Sequence, residues 1–268
     1  MVKEIKIDSI SGVKDLAFEQ TYNEDIGRSR SAFYYRGMPD VSFNLGTSLQ
    51  RNCGRLYKEL EQPMLDNFIK YVKIEDPAID ESIWKTMVIG RHYGLPTRLL
   101  DWTHSTLVAL HFSNTEDSLK QLDKHDCVIW RIDMRDLNRN LPDKYREALD
   151  RRKTFIFSLD MLNSLASTIR EYDEDMGSDS LVLMEPPSID LRIANQYSFF
   201  TVIPSGITDL EQYLAAHTER TVKYVIDKSL RWEIRDILDE MNISERMMYP
   251  GKEGIAKWLA RHYYVKEK

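Results

Sequence analysis

Several things are scarce in this chain, and each absence removes a class of function. There are only two cysteines, Cys53 and Cys127, far apart and without metal-ligand spacing. That excludes a disulfide framework and a cysteine-based zinc site, and it favours a reducing compartment. No apolar run approaches the ~20 residues that span a bilayer. The first residues, MVKEIKIDSI, lack the apolar core of a secretory signal. A cytoplasmic protein with no membrane partner is the expectation. No block of like charge is long enough to serve as a nucleic-acid arm, so nucleic acid is not an indicated partner. Signatures G-x-S-x-G, G-x-x-x-x-G-K-[ST] and G-x-G-x-x-G are all missing, which removes serine hydrolases, Walker-type ATPases and Rossmann dehydrogenases in their usual forms. Neither an internal repeat nor a low-complexity stretch appears.

What is there describes an ordinary globular domain. The 268 residues are 42% hydrophobic and 10% aromatic, and 30% charged side chains leave a net charge of only −6. Such a chain buries a sizeable core. Alternation over Val2–Ile7 predicts a half-buried strand, and the spacing over Ser11–Ile26 predicts a helix. Ala32–Gly37, Cys127–Ile132, Leu181–Met184, Tyr197–Ile203 and Val222–Ile226 read as further strands. Helices are expected over Arg55–Val72, with Pro63 kinking or splitting it, over Glu81–His92, Thr103–Phe112 and Thr208–His217, up to about Met241, and over Gly254–His262. One α+β domain over residues 1–268 results, with a helix-rich N-terminal half packed on a mixed or antiparallel sheet.

The densest stretch is Arg91 to His104, RHYGLPTRLLDWTH. Gly94 can adopt the left-handed conformation that ends a helix, and Pro96 blocks its continuation. Thr97–Leu100 then reads as a short buried strand, with Asp101 or Thr103 capping the next helix. Arg98 and Asp101 read either as an anion-binding pair beside that helix N-terminus or as a structural ion pair. Arg36, at a strand end before Gly37, presents a donor fork suited to phosphate or carboxylate, and the glycine would let a ligand near the backbone. An exposed sheet-edge arginine explains it equally well. Thr103 and Ser105 offer hydroxyls, of which capping accounts for one. His92 and His104 could hydrogen-bond a substrate, but no H-E-x-x-H pairing supports a metal site. Arg192, Asn195 and Gln196 precede the strong strand at Tyr197. Glu185 and Asp190 are the nearest acids.

Four segments together resemble the FRG domain family: Phe-Tyr-Tyr-Arg36-Gly37, Thr-Ser48-Leu-Gln-Arg51, Arg-His92-Tyr93-Gly94 through Ser105, and Arg192-Ile-Ala-Asn-Gln196-Tyr-Ser-Phe-Phe. The family is named for a Phe-Arg-Gly-type segment, here Tyr35-Arg36-Gly37, and the resemblance runs from about Ile5 to Tyr264. The order of these motifs is also similar to the ADP-ribosyltransferase plan. That second resemblance implies NAD as ligand or substrate, with Arg36 on its ribose or phosphate and Thr103 or Ser105 supporting the pocket. It puts Gln196 where a catalytic glutamate is expected. Glutamine has no ionisable group, so this departure argues against transfer chemistry unless Glu185 or Asp190 substitutes. The expected ligand-binding set is Arg36, Gly37, His92, Tyr93, Arg98, Asp101, Thr103, Ser105 and Arg192, with Arg36, Gln196 and Glu185 as the candidates for any catalysis. Tyr34, Tyr35, Tyr93, Trp102 and Tyr197 are expected to offer rings for stacking on a base. The resemblance implies a nucleotide-handling effector in bacterial stress or phage defence. The alternative is a non-enzymatic recognition module with a protein partner, in which the motif arginines and Asp101 are structural. A phosphoester enzyme using Asp101, His92 and His104 is the third reading.

Overall fold

The computed structural model describes residues 2–79, 81–116 and 118–266. Its main sheet has eight strands, numbered here in chain order: β1 Lys3–Ile7, β2 Phe33–Met38, β3 Leu99–Thr103, β4 Cys127–Asp133, β5 Phe157–Ser158, β6 Val182–Glu185, β7 Ser198–Val202 and β8 Val222–Ile226. They lie in the order β1-β8-β4-β2-β3-β7-β6-β5, and a two-stranded ribbon, Tyr22–Asn23 with Arg28–Ser29, stands apart. The outermost pairs, β1–β8 and β5–β6, are parallel and the inner ones antiparallel. This is the expected α+β class with a mixed sheet. Helices are spread along the whole chain between the strands rather than gathered in its first half.

One junction in the sheet is weak. β2 and β3 share the single pairing Tyr35↔Thr103, while β2 pairs with β4 over six residues and β3 with β7 over five. Extending the antiparallel register would set Gly37 opposite Asp101, but the strands have parted by then. The core shows the same division. On one face a continuous cluster runs across both halves, through Tyr34, Met38, Leu100, Trp102, Trp130, Leu183 and Phe199. On the other face the apolar side chains form two clusters. Leu99, Val182, Phe200 and Val202 pack under the helix Ile83–His92, and Phe33, Tyr35, Ile129 and Ile226 pack under the helix Thr106–Ser113. Because side chains alternate across a strand, Asp101, Thr103 and Ser198 fall on this divided face, between the two clusters. A cleft opens there.

Four helices surround it: α1 Ile83–His92, α2 Thr106–Ser113, α3 Leu191–Gln196 and α4 Glu245–Met248. α1 ends as the sequence suggests, with Gly94 at φ +90° and the Leu95 N–H bonded back to the Gly90 carbonyl at 2.8 Å. The next segment differs from expectation. β3 runs to Thr103 because its backbone is held against β7 as far as the pairing Thr103↔Ser198. α2 therefore starts at Thr106, capped by Ser105, whose Oγ accepts from the Val108 N–H. Neither Asp101 nor Thr103 is the cap. The helix Tyr57–Val72 is continuous through Pro63, and the short helix α3, capped by Asp190, has no counterpart in the sequence reading.

Beneath α2 a buried histidine gives the fold a pH dependence. His111 is fully buried, and its Nδ1 lies 2.9 Å from Arg235 Nη1. A guanidinium only donates, so the ring nitrogen accepts and the imidazole is neutral. Burial first, then the charge of Arg235, holds its pKa down at about 3 against an ordinary 6.5. The unfolded chain therefore takes up a proton between those values that the folded chain refuses. This contribution is complete above pH 6.5 and is lost as pH falls toward 3. Urea midpoints at neutral pH and at roughly pH 4.5 should show wild type losing more stability than His111→Gln, which keeps an acceptor for Arg235 without titrating. Equal losses would contradict the assignment.

Candidate functional site: a cation-lined cleft at the divided sheet

The cleft has two lobes of about 320 and 330 Å³. Arg91, Asp101, Arg192, Gln196 and Ser198 line both and form the waist. His92, Tyr93, Gly94 and Phe200 close the first lobe, on the α1 side. Arg36, Gly37, Trp102, Thr103, Phe112 and Tyr249 belong to the second, which is the more aromatic.

Arg36 sits where β2 and β3 separate. Its Nη1 donates to the Asp101 carbonyl at 2.8 Å, and lies 3.5 Å from Asp101 Oδ2. Arg91, from the last turn of α1, holds both oxygens of the same carboxylate, through Nε at 3.3 Å and through Nη2. Its Nη1 reaches Ser48 Oγ at 3.4 Å. Burial would lift the Asp101 carboxyl, but the Arg91 and Arg36 charges carry it below the usual carboxylate range. Arg51 stands close enough for the Arg91 charge to add to the effect of burial in lowering it. Burial brings the Arg36 guanidinium down to about 10; Asp101 opposes the fall, and the charges of Arg91 and Arg51 add to it. Arg36 Nε is buried without a hydrogen-bond partner. One carboxylate thus serves several arginines, and a further anion would relieve their repulsion.

Arg192 completes the set from α3. Its guanidinium stacks on the Tyr249 ring at 4.9 Å and touches the His92 carbonyl at 3.5 Å. No carboxylate among the described residues is within ion-pair distance of it. Buried arginines elsewhere are treated differently: Arg231 is paired with Glu116, and Arg261 with Asp239 and Glu245. His92 lines the first lobe with its Nε2 2.7 Å from Asp190. Gln196 is the last residue of α3, not the start of a strand, and its Nε2 donates to the Met248 carbonyl at 2.9 Å. Asn195 does the same to Met247, so two side-chain amides pin α4, and with it Tyr249, to the cleft. Thr103 Oγ1 donates to the Gln196 carbonyl at 2.8 Å, tying β3 to α3.

Of the expected site residues, Arg36, Gly37, His92, Tyr93, Asp101, Thr103, Arg192 and Gln196 meet at this cleft. Three do not. Arg98 faces away: its guanidinium is clasped by Glu61, at 2.5 to 3.0 Å, and by Asp173. Arg98 and Asp101 form no pair, because an odd separation along an extended chain puts them on opposite faces. Ser105 is used as the α2 cap. Glu185 lies at the end of β6 and lines a different hollow with His104, Tyr34 and Tyr197. His92 and His104 are thus on different sides of the sheet, and the described residues hold no cluster of metal-ligating side chains. Gly37 lines the cleft, but its missing side chain serves packing, since a Cβ there would stand 1.9 Å from the Ala109 carbonyl of α2. Arg91, Ser198 and Tyr249 were not anticipated.

A family model for the FRG domain matches residues 31–121. The chain carries an FRG domain. Within the matched span lie Arg36, Arg91, His92, Asp101 and Thr103, which is to say β2, α1, β3 and the junction between them. Arg192, Gln196, Ser198 and Tyr249 lie beyond it, so the cleft at the FRG motifs is completed by later segments of the chain. No curated protein and no solved structure matches the chain. Among the described residues no helix is long and apolar enough to cross a membrane.

Proposed function

We propose that the cleft binds a nucleotide, NAD-like in carrying a central pyrophosphate between two nucleoside ends. The observation that supports this most is the position of the cations. Arg91 and Arg192 line both lobes, so the positive charge concentrates at the waist, with one hollow on either side. Guanidinium forks suit phosphate oxygens, and each lobe is near the lower end of the ~300–1,000 Å³ typical of small-ligand sites. In the second lobe Tyr249 and Phe112 offer aromatic surface to a base, while Tyr93 does so at the exposed rim of the first.

The reading stops at binding. Gln196 supplies an amide, and the acid that lines both lobes, Asp101, has both oxygens engaged by Arg91. ADP-ribosyl transfer from such a complex needs a carboxylate from elsewhere. The bacterial stress or phage-defence role implied by the family resemblance belongs to the same proposal. A recognition module with structural motif arginines is the second reading, favoured specifically by the full internal pairing of Arg98.

Calorimetry of the full chain with NAD, ADP-ribose and ATP tests the proposal. NAD and ADP-ribose should bind, and Arg192→Ala, which removes no internal ion pair, should weaken both by roughly tenfold or more, the equivalent of one charge-assisted contact. Absence of heat with all three ligands sinks the ligand assignment.

A further inference from the structure

The other face of the sheet carries a second hollow, of about 350 Å³. Its floor is a run of rings in mutual contact. His104 lies 5.1 Å from Tyr34 and 5.3 Å from Tyr197, and Phe199 lies 4.7 Å from Tyr34 and 5.7 Å from Tyr197, at interplanar angles of 44 to 75°. Apolar Phe155 and Ile156 form part of the wall. Three charged side chains line it as well: Glu185 from the end of β6, Arg135 after β4, and Arg30 beside the ribbon.

These charges are not spent on one another. Among the described residues Glu185 has neither an ion-pair nor a hydrogen-bond partner, and neither arginine has a carboxylate within ion-pair distance. Arg135 instead rests over the Phe155 ring at 5.1 Å. All three are exposed residues that line the hollow without pairing with one another. The second observation is Tyr34. It is 5% exposed, and its hydroxyl has no hydrogen-bond partner among the described residues. Burial, then the Glu185 charge, raises its pKa well above the ordinary value, so the hydroxyl remains a donor. Tyr34 lines the hollow, and its hydroxyl, unlike that of Tyr35, is not sealed in the core but open to a ligand there.

We propose that this hollow binds a small zwitterion of the α-amino acid class with an apolar or aromatic side chain. Its ammonium meets Glu185 against the ring faces of the floor, where an aromatic quadrupole also attracts a cation. Its carboxylate meets Arg135, with Arg30 adding long-range attraction and the Tyr34 hydroxyl available as a donor. The side chain lies on Phe155, Ile156 and Phe199. A plain anion leaves Glu185 repelling it and a plain cation leaves the arginines doing so, which is why a ligand with both charges fits best. The site is independent of the nucleotide cleft, from which the sheet separates it.

The test uses the full chain and four probes followed by ligand-observed NMR: L-phenylalanine, L-leucine, 3-phenylpropanoate (no ammonium) and phenethylamine (no carboxylate). L-phenylalanine should bind saturably and at least roughly tenfold more tightly than either single-charge analogue, since each lacks one charge-assisted contact. L-leucine should bind with a weaker apolar component. Glu185→Gln, an exposed position whose change should not alter the melting temperature, should bring L-phenylalanine to the affinity of 3-phenylpropanoate. Tyr34→Phe should weaken it again, with a melting curve checking the fold. Failure of both amino acids to saturate, equal affinity for the single-charge analogues, or indifference to Glu185→Gln would each overturn the proposal.

Discussion

Arg98→Ala destabilises the protein by about 3–5 kcal/mol, the cost of breaking a buried ion pair from one side. Arg98 is 4% exposed and Glu61 3%. The guanidinium holds Glu61 through Nε and Nη2 and Asp173 through Nη1 and Nη2, and Asp173 also accepts from the Ser205 N–H at 3.0 Å. Removing it leaves one buried and one half-buried carboxylate with no cation. Because Glu61 sits on the helix Tyr57–Val72 and Asp173 on the helix Ile169–Met176, the loss also unties two helices from the segment entering β3. Urea midpoints measure it. The double variant Arg98→Met with Glu61→Gln should recover part of the loss, since the fully buried carboxylate is gone while the half-buried Asp173 still lacks its cation. A single variant with near-wild-type stability would mean that the cluster is hydrated and that Arg98 is free for another role.

Gly37→Ala is the second large effect. The added Cβ would come within 1.9 Å of the Ala109 carbonyl and 2.7 Å of the Ser113 amide nitrogen, both backbone atoms of α2. Neither can rotate aside as a flexible side chain does, so the whole helix must move off β2. Overpacking of this kind costs typically about 1–3 kcal/mol, and the rigidity of the obstacle puts the expected value at the top of that range or beyond. Gly94→Ala separates the clash from backbone strain. Gly94 has φ +90° with open space around it, so its cost should be about 1–2 kcal/mol, from the left-handed conformation alone. Similar losses at the two sites would contradict the packing role of Gly37. Nucleotide binding would fall with Gly37→Ala as well, because α2 carries Phe112 into the second lobe.

Much of the fold was legible because its elements announce themselves locally. Phe-Tyr-Tyr and Ser-Phe-Phe-Thr-Val are strands by composition, and Gly94 with Pro96 marks the end of α1. The errors arose where long-range pairing decides. Nothing in Thr97–Leu100 says that the strand continues to Thr103; that follows from the register with β7, a hundred residues away. Extending the strand would also have revealed that Arg98 and Asp101 point to opposite faces, since side chains alternate. The same alternation separates Thr103 from His104 and sends each to a different hollow. Arg91 carried a usable signal, being in the last turn of a helix directly before the turn that leads to Asp101. Tyr249 carried none: it reaches the cleft at the end of α4, which Asn195 and Gln196 hold by its carbonyls. Gly37 lines the cleft, and its missing side chain also makes room for α2, which the sequence does not announce.

At stake above all is whether guanidinium groups gathered from α1, β2 and α3 hold a pyrophosphate at the waist of the cleft. Crystals of the full chain grown with ADP-ribose settle this by direct view. The account predicts phosphate oxygens within hydrogen-bonding distance of Arg91 and Arg192, the Arg192 guanidinium turned from the Tyr249 ring toward the ligand, and the base in the second lobe. Ligand bound in the hollow on the opposite face, or an empty waist at saturating ADP-ribose with Arg192 still stacked on Tyr249, would contradict it.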